Sequence, residues 1–219
     1  MTMILFLLAM ATVAPKSISI VPIETIWVYE NASTPADGSY LRAWGSEGKS
    51  CPGEGEDAGQ FSYTYLKWDL ADVPKIAKLV SAKLEFNNIP DPGFTVETAK
   101  KAPLEARAIV GEFDAKTWTF DMATKVHPLS AATAVYGSGY PREIRAGAPV
   151  SIIVDLMAGP NPFEKALRSA LSSSSHSLSL AITSALDPST EGRTCVYKVF
   201  GQTDSHENMR PKLTLTFAE

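Results

Sequence analysis

The segment FGQTDSHENMRP, residues 200–211, gathers the side chains best suited to acid–base or metal chemistry. Asp204, His206 and Glu207 lie close together, and Arg210 follows them. An imidazole beside a carboxylate can exchange protons, and both groups can bind metals. The segment, however, connects two strand patterns, and Asp, Ser and Asn are the residues that satisfy backbone groups in solvated turns. We therefore expect a loop here rather than a catalytic centre.

A second set of residues could contact sugars, which stack on flat aromatic rings and bind polar side chains through their hydroxyls. The candidates are Trp44, Tyr63, Tyr65, Tyr136 and Tyr140, with Gln202 as a polar contact if its loop lies on a binding rim. Trp44 stands in the turn-rich LRAWGSEG, and the GSG sequence separates the last two tyrosines. The alternative is that these rings belong to the core, as we expect for Trp68.

The loop CPGEGEDAGQ, residues 51–60, places three carboxylates among glycines, which makes it a candidate site for structural calcium. The three candidate ligands are Glu54, Glu56 and Asp57. Their spacing does not match an EF-hand, so a solvated acidic loop is the alternative.

Motifs for hydrolases and nucleotide enzymes are absent from the sequence: it contains no GxSxG, HExxH, P-loop or GxGxxG. A polysaccharide lyase would need a Tyr or His as acid or base beside an Arg or Gln that neutralises a uronate. Residues of these types are Tyr63, Tyr65, Arg142, Arg145 and Gln202, but their spacing does not show that they converge. An enzyme is therefore an alternative and not the main prediction.

The chain has two cysteines, Cys51 and Cys195. In an oxidising compartment such a pair is usually bridged, and we expect a disulfide between them. The bond would close a loop of about 145 residues and contribute about 4 to 5 kcal/mol in the chain-entropy model. The alternative is two buried thiols.

The composition of the 219 residues, 45% of them hydrophobic, predicts one folded domain. A net charge of -4 without a basic run argues against nucleic acid as a partner. The first residues, MTMILFLLAMATVA, combine an apolar run with small residues, so residues 1–14 are predicted to be a signal peptide. A buried first strand and a lipid-facing anchor are the alternatives. With the signal peptide removed, the protein would be secreted or at the cell surface and would have no membrane contact.

Most of the chain consists of short segments with period-two hydrophobicity between Gly, Pro, Asn and Asp clusters, which is typical of antiparallel β proteins. About eight strands are predicted, in TIWVYEN, TYLKWDL, SAKLEFNNI, LEARAIVGEF, VSIIVDL, SLSLAITS, CVYKVFG and KLTLTF. The side chains expected to face inward are Leu66, Trp68, Leu70, Ala82, Leu84, Phe86, Val150, Ile152, Val154, Leu156, Leu178, Leu180, Ile182, Leu213, Leu215 and Phe217. Asp69 and Asp155 point away from this core, and we expect them to bind backbone amides where their strands end.

One short helix is predicted in NPFEKALRSAL, across an edge of the sandwich. Asn161 is the expected N-cap, Pro162 the first helical residue, and Glu164 the residue three positions after the cap. The following serines, residues 172–175, are expected to end the helix.

The order of these strands resembles that of DNRLRE domains. Trp68-Asp69-Leu70, Pro74 and the sequence SAKL at residues 81–84 match the family's aromatic-Asp-Leu strand, Pro turn and SAxLxL strand. VDL at residues 154–156 before a helix, and RPKL at residues 210–213, match its later motifs. The resemblance covers residues 22–218. This chain lacks the family's mid-domain Trp-Asn-x-Pro segment and has only Phe113-Asp114 and TWTF, residues 117–120, there.

The resemblance implies a secreted antiparallel β-sandwich of jelly-roll type that binds an extracellular polysaccharide without cleaving it. It also implies a neighbouring polysaccharide-degrading enzyme as a partner. Two alternatives remain open: a polysaccharide lyase or hydrolase on the same scaffold, and a structural or adhesive cell-surface β-sandwich.

Overall fold

A computed structural model of the chain describes residues 15–29, 39–45, 61–75, 77–109, 113–127, 129, 134–192 and 194–218. Its strands are β1 (Lys16–Ile20), β2 (Glu24–Tyr29), β3 (Tyr40–Ala43), β4 (Ser62–Asp69), β5 (Lys78–Asn88), β6 (Leu104–Ala108), β7 (Val135–Gly139), β8 (Val150–Asp155), β9 (Ser177–Ser184), β10 (Tyr197–Phe200) and β11 (Lys212–Ala218). The helices are α1 (Val96–Lys101), α2 (Phe163–Ser172) and α3 (Pro188–Glu191), with a π-helical turn at Met122–Val126 and a 3-10 turn at Glu207–Met209.

The strands form two antiparallel sheets, so the predicted mostly-β, sandwich-like architecture is confirmed. Sheet A runs β1-β11-β5-β10-β3, and β8 also pairs with β5. Sheet B runs β2-β4-β9-β6-β7. Every strand pair is antiparallel. The long strand β5 therefore organises sheet A, and β4 and β9 form the middle of sheet B.

The main core lies between the sheets and contains the residues that period-two alternation assigns to it. All sixteen side chains predicted to face inward are buried, including Trp68 and Phe86, which are fully buried. The buried face of α2, formed by Phe163, Leu167 and Leu171, joins the same core. The inward residues of the predicted strands are thus confirmed.

A second core covers the outer face of sheet B. Tyr63 and Tyr65 lie on the side of β4 opposite Trp68, yet both are fully buried. The covering segment contributes Phe113 and Trp118, and the Tyr65 ring lies 5.8 Å and 5.3 Å from their ring centroids. Both faces of sheet B are therefore packed, whereas sheet A keeps an open outer face with exposed residues such as Lys83 and Ile153.

The two sheets approach each other closely at the edge where β7 meets β8. Gly137 and Gly139 lie in β7, and a Cβ atom added to either would collide with the carbonyl oxygen of Asp155 or of Ile153 in β8. Glycine has no Cβ, so it permits this close backbone approach. The GSG sequence is thus part of a strand, and it brings β7 against β8.

Three details differ from the sequence-based expectations. The structure has more short helices than the single one predicted, α1 being the clearest addition. Pro162, not Asn161, is the N-cap residue of α2. The Asn161 amide instead donates to the Val135 carbonyl oxygen (3.2 Å) and so ties the start of the helix to β7. β1 pairs along β11 and lies before residue 22, where the predicted domain begins.

The predicted signal peptide, residues 1–14, lies outside the described residues. None of the helices in the described part of the chain has the length and apolar character needed to cross a bilayer. Cys195 is buried and its thiol is free, so the structure does not support the predicted disulfide. Its expected partner, Cys51, lies outside the described residues.

Candidate functional site

An open cleft of about 770 Å³ lies on the outer face of sheet A. Its floor is formed by outward-facing residues of β5 and β8: Lys83, Ser151, Ile153 and Asp155. Its wall is formed by the end of β7 and by the loop that follows, with Ser138, Tyr140, Arg142, Glu143 and Arg145. Ile153 is 49% exposed, so the floor offers an apolar surface beside polar groups.

The wall of the cleft is held in place by the connection between β7 and β8. The Gly147 amide donates to the Asp91 carboxylate (2.8 Å), which fastens the loop to the turn that follows β5. Gly147 has a φ of 71° and Asp91 a φ of 51°, so both take left-handed conformations in these turns. The glycines of β7 set the other end of the loop close to β8. The wall thus has a defined position relative to the floor.

Tyr140 presents the aromatic ring of the cleft and is only half-buried. The Arg142 guanidinium lies over this ring, 5.1 Å from its centroid, and donates to the Tyr140 hydroxyl at 3.3 Å. A cation over an aromatic face is attracted to the negative face of the ring. The two side chains therefore form one unit that carries an aromatic surface and a positive charge.

Charge in the cleft is unevenly paired. Arg145 makes two hydrogen bonds of 2.8 Å to Glu143, and this interaction lowers the pKa of the Glu143 carboxyl. Lys83 and Arg142 form no ion pair with any residue that the structure describes. Among the described residues the cleft therefore has three cations and two carboxylates, Glu143 and Asp155, and only Arg145 forms an ion pair, on a chain whose net charge is -4.

Asp155 at the edge of the cleft has a structural contact. Its Oδ1 accepts from the Met157 amide at 2.9 Å, and Asp69 likewise accepts from the Ala71 amide at 2.9 Å. Both carboxylates thus bind backbone amides where their strands end, as the sequence predicts.

The aromatic residues proposed from the sequence do not converge on one site. Tyr140 lines the cleft, whereas Tyr63 and Tyr65 are buried in the second core. Tyr136 is 8% exposed and packs edge-on against Phe163 of α2, with ring centroids 5.4 Å apart. Burial raises the pKa of the Tyr136 hydroxyl.

The remaining predicted contacts lie away from the cleft. Trp44 is half-buried against the main core and forms a β-bridge with Ser62. The backbone amide of Gln202 donates to the Thr25 hydroxyl at 3.4 Å, which places it near the start of β2. Neither residue lines the cleft.

The predicted calcium ligands Glu54, Glu56 and Asp57 lie outside the described residues. Among the residues that are described, no group of three or more His, Cys, Asp or Glu side chains is arranged to hold a metal.

The segment at residues 200–211 forms a loop, as predicted, with the 3-10 turn inside it. The Asp204 carboxylate accepts from the His206 amide (2.7 Å) and contacts its Nδ1 (2.9 Å), and the Arg210 guanidinium donates to the Asp204 carbonyl oxygen. These contacts lower the pKa of the Asp204 carboxyl, and the hydrogen bond from the His206 amide has the largest effect. The crowded polar groups thus satisfy one another within the loop.

Most of the cleft residues were not proposed from the sequence as contacts, among them Lys83, Ser138, Ser151 and Ile153. Three of these four occupy outward positions of β5 and β8, and alternation predicts that orientation. What the sequence does not show is that β8 pairs with β5, or that β7 lies beside them.

No protein-family model matches the chain, and no curated protein is significantly similar to it. The resemblance to DNRLRE domains thus rests on the sequence motifs and stays a prediction.

Proposed function

We propose that the protein binds an acidic polysaccharide along the cleft on sheet A, without cleaving it, as a secreted module of jelly-roll and DNRLRE type. The observation that carries this proposal is the Tyr140–Arg142 unit, which faces an open cleft with unpaired cations. A polysaccharide-degrading enzyme acting on the same polymer is the expected partner.

The shape and surface of the cleft suit a chain of sugar rings. The half-exposed ring of Tyr140 and the exposed Ile153 side chain are apolar surfaces on which the C–H faces of a sugar can pack. Ser138 and Ser151 supply hydroxyls close to these surfaces. The cleft is open rather than enclosed, so a long polymer can enter and leave along its length.

The charge of the cleft favours carboxylate or sulfate groups on the sugar. Lys83 is exposed on the floor and Arg142 on the wall, and neither makes an ion pair with a described carboxylate, although Asp155 stands opposite Lys83 in the pairing of β5 with β8. Arg145 is already bound by Glu143. An anionic ligand would therefore find two free cations, and its attraction to them should weaken as salt is added.

A lyase is the second candidate, because the Arg142 guanidinium lies 3.3 Å from the Tyr140 hydroxyl. As a phenolate held by Arg142, Tyr140 would take the C5 proton of a uronate whose carboxylate is neutralised by Lys83; the C4–O glycosidic bond would break as the C4–C5 double bond forms, and the leaving sugar oxygen would take up a proton from the phenol or from water. The lyase residues proposed from the sequence are separated in the structure, because Tyr63 and Tyr65 are buried in the second core.

The test uses calorimetry to measure the binding of polygalacturonate and of a neutral glucan of similar length. We expect the polyuronate to bind more tightly. Tyr140→Ala should weaken its binding about five- to tenfold through the loss of ring stacking. Lys83→Ala should weaken it about three- to fivefold and reduce its salt dependence.

Two matched variants serve as controls. Tyr40 is an exposed tyrosine outside the cleft and Lys78 is an exposed lysine on the same strand as Lys83, so Tyr40→Ala and Lys78→Ala should leave binding unchanged. Equal effects of Lys78→Ala and Lys83→Ala would contradict the assignment of the cleft. Ultraviolet absorbance from unsaturated ends would favour the lyase, and a lack of binding to any glycan would favour an adhesive or structural role.

A further inference from the structure

A second pocket of about 340 Å³ lies beneath α2, between the helix and the neighbouring strands of sheet B. The helix contributes Ala166, Ser169 and Ala170, and β9 contributes Ser177, Leu178 and Ser179. Tyr136 of β7 also lines it. None of these residues lines the cleft on sheet A, so the two depressions are separate.

The chemistry of this pocket differs from that of the cleft. Its lining includes no charged side chain, and more than half of its residues carry a hydroxyl. These hydroxyl residues are Tyr136, Ser169, Ser173, Ser175, Ser177 and Ser179. The other lining residues are apolar. Such a surface can both donate and accept hydrogen bonds and offers no charge to an ion.

Some of the hydroxyls already bind one another. The Ser173 hydroxyl donates to the Ala170 carbonyl oxygen at 2.8 Å and lies 3.1 Å from that of Ser175. The Ser177 hydroxyl donates to Ser175 at 3.2 Å. These bonds form a fixed rim where the helix ends.

Three other hydroxyls, those of Tyr136, Ser169 and Ser179, make no hydrogen bond to any residue that the structure describes. Tyr136 is the most confined of the three, because its side chain is 8% exposed and still lines the pocket. Burial raises the pKa of Tyr136, so its hydroxyl keeps its proton at neutral pH. The Tyr136 hydroxyl is not one of the buried polar atoms that lack a partner in the described part of the chain, so it is accessible and can donate a hydrogen bond to a ligand in the pocket.

We propose that this pocket binds a neutral polyhydroxylated molecule the size of a mono- or disaccharide, through Tyr136, Ser169 and Ser179. Its volume lies near the lower end of the range for small-molecule sites, about 300 to 1,000 Å³. The apolar groups, chiefly Leu178 and Ala170, would pack against the C–H face of the ring. This proposal does not depend on the function proposed for the cleft.

The test uses nuclear magnetic resonance to follow the amide signals of Ala108, Ser169 and Ser179 while D-glucose, D-galactose, D-mannose or maltose is added. We expect at least one of these sugars to shift the three signals together, with a saturable, weak affinity. Salt should not change that affinity, because the pocket carries no charge. Tyr140→Ala should leave it unchanged, because Tyr140 lines only the cleft.

Three variants locate the site. Ser169→Trp and Ser179→Phe fill the pocket and should abolish the shifts, whereas Tyr136→Phe should weaken binding about five- to tenfold through the loss of one hydrogen bond. Ser172→Trp is the matched control, because Ser172 is an exposed residue of the same helix outside the pocket. Thermal denaturation confirms that each variant is folded. If Ser179→Phe does not fold, Ser169→Trp alone tests the site, because Ser169 is exposed and a larger side chain there should not prevent folding.

The proposal is overturned if none of the sugars shifts these signals at concentrations into the hundred-millimolar range. It is also overturned if the shifts persist in Ser169→Trp, or if Tyr136→Phe binds as tightly as the original protein. Loss of polyuronate binding in Tyr140→Ala bears only on the cleft, so the two proposals can fail separately.

Discussion

Asp69 and Asp155 close their strands by the same contact, a carboxylate oxygen that accepts from the backbone amide two residues later. The contact fixes the turn that follows each strand, and both turns connect to residues of the main core, Leu70 and Leu156. An aspartate that interrupts an apolar strand pattern is thus explained by the local backbone, without a catalytic role.

Asp69→Ala should lower the free energy of unfolding by about 1 kcal/mol, because the Ala71 amide loses its acceptor. Urea denaturation of the original protein and the variant measures this difference. Asp72→Ala is the control, since Asp72 is exposed in the same turn and makes no hydrogen bond to a described residue. Equal midpoints for the two variants would show that the Asp69 contact contributes nothing.

Tyr197 is a fully buried residue of β10 that joins sheet A to α1. Its hydroxyl donates to the Ala102 carbonyl oxygen at 3.1 Å and lies 3.4 Å from that of Ala99. Burial raises the pKa of Tyr197 well above its ordinary value of about 10. The neutral phenol is therefore favoured by folding, and its contribution to stability is complete below about pH 10 and lost as the pH rises toward the folded value.

Tyr197→Phe should show two effects in urea denaturation across pH. At pH 7 the free energy of unfolding should fall by about 1 kcal/mol because the hydrogen bond is lost. Above about pH 10 the variant should lose stability less steeply than the original protein, because it has no phenol to ionise there. Tyr140→Phe, in the half-exposed cleft, serves as the control. Parallel pH curves for Tyr197→Phe and the original protein would contradict the argument.

Among the elements, β7 has the largest influence on the candidate cleft. Its glycines let its backbone lie against β8, and Ser138 and Tyr140 then reach the cleft from the same strand. The carbonyl oxygens of Asp155 and Ile153 that face these glycines belong to a paired strand. They therefore have little freedom to move away.

Gly137→Ala and Gly139→Ala should each destabilise the protein by about 2 kcal/mol or more, because the added methyl group meets backbone atoms that cannot shift. Thermal and urea denaturation measure the loss. Ser138→Ala, between the two glycines, has an exposed side chain and should be nearly neutral. A wild-type midpoint for Gly137→Ala would mean that the two strands do not approach as described.

The strands show how far the sequence predicts this structure. Alternation located eight strands and the inward faces of five of them, because burial on one face leaves a period-two pattern. It missed β7, since VYGSG has no alternation and owes its place to glycine packing. It also missed the short strand β3, and β1, which lies before residue 22, where the predicted domain begins. β7 is needed to bring Tyr140 to the cleft, and β1 and β3 form the two ends of sheet A.

Tyr63 and Tyr65 show why the candidate site was predicted only in part. Alternation in TYLKWDL places Tyr65 on the side of β4 away from the main core, which is correct, and Tyr63 lies on the same side, but a second layer covers both. Tyrosine has an apolar ring and a polar hydroxyl, so a tyrosine in the sequence suits an exposed binding face as well as a buried one. The structure shows that Phe113 and Trp118 lie over this face of sheet B, and the two tyrosines are therefore buried.

At the scale of the whole molecule, the two proposed sites differ in the charge of the residues that line them. The cleft on sheet A has unpaired cations on a chain of net charge -4, whereas the pocket beneath α2 has no charged lining. β7 lies between them: it contributes Tyr136 to the pocket, and Tyr140, the residue that follows it, lines the cleft.

The state of the cysteines is a property of the whole chain, because a Cys51–Cys195 bond would close a loop of about 145 residues. The structure has a free, buried Cys195, and burial raises the pKa of its thiol, with Glu191 and Asp187 adding to the effect. We therefore expect a reducing agent to leave the thermal midpoint unchanged. A thiol reagent should modify Cys195 in a Cys51→Ser variant only after denaturant is added, since the neutral thiol reacts slowly. If the bond forms, reduction should lower the stability by up to about 4 to 5 kcal/mol, and the oxidised protein should show no reactive thiol in denaturant.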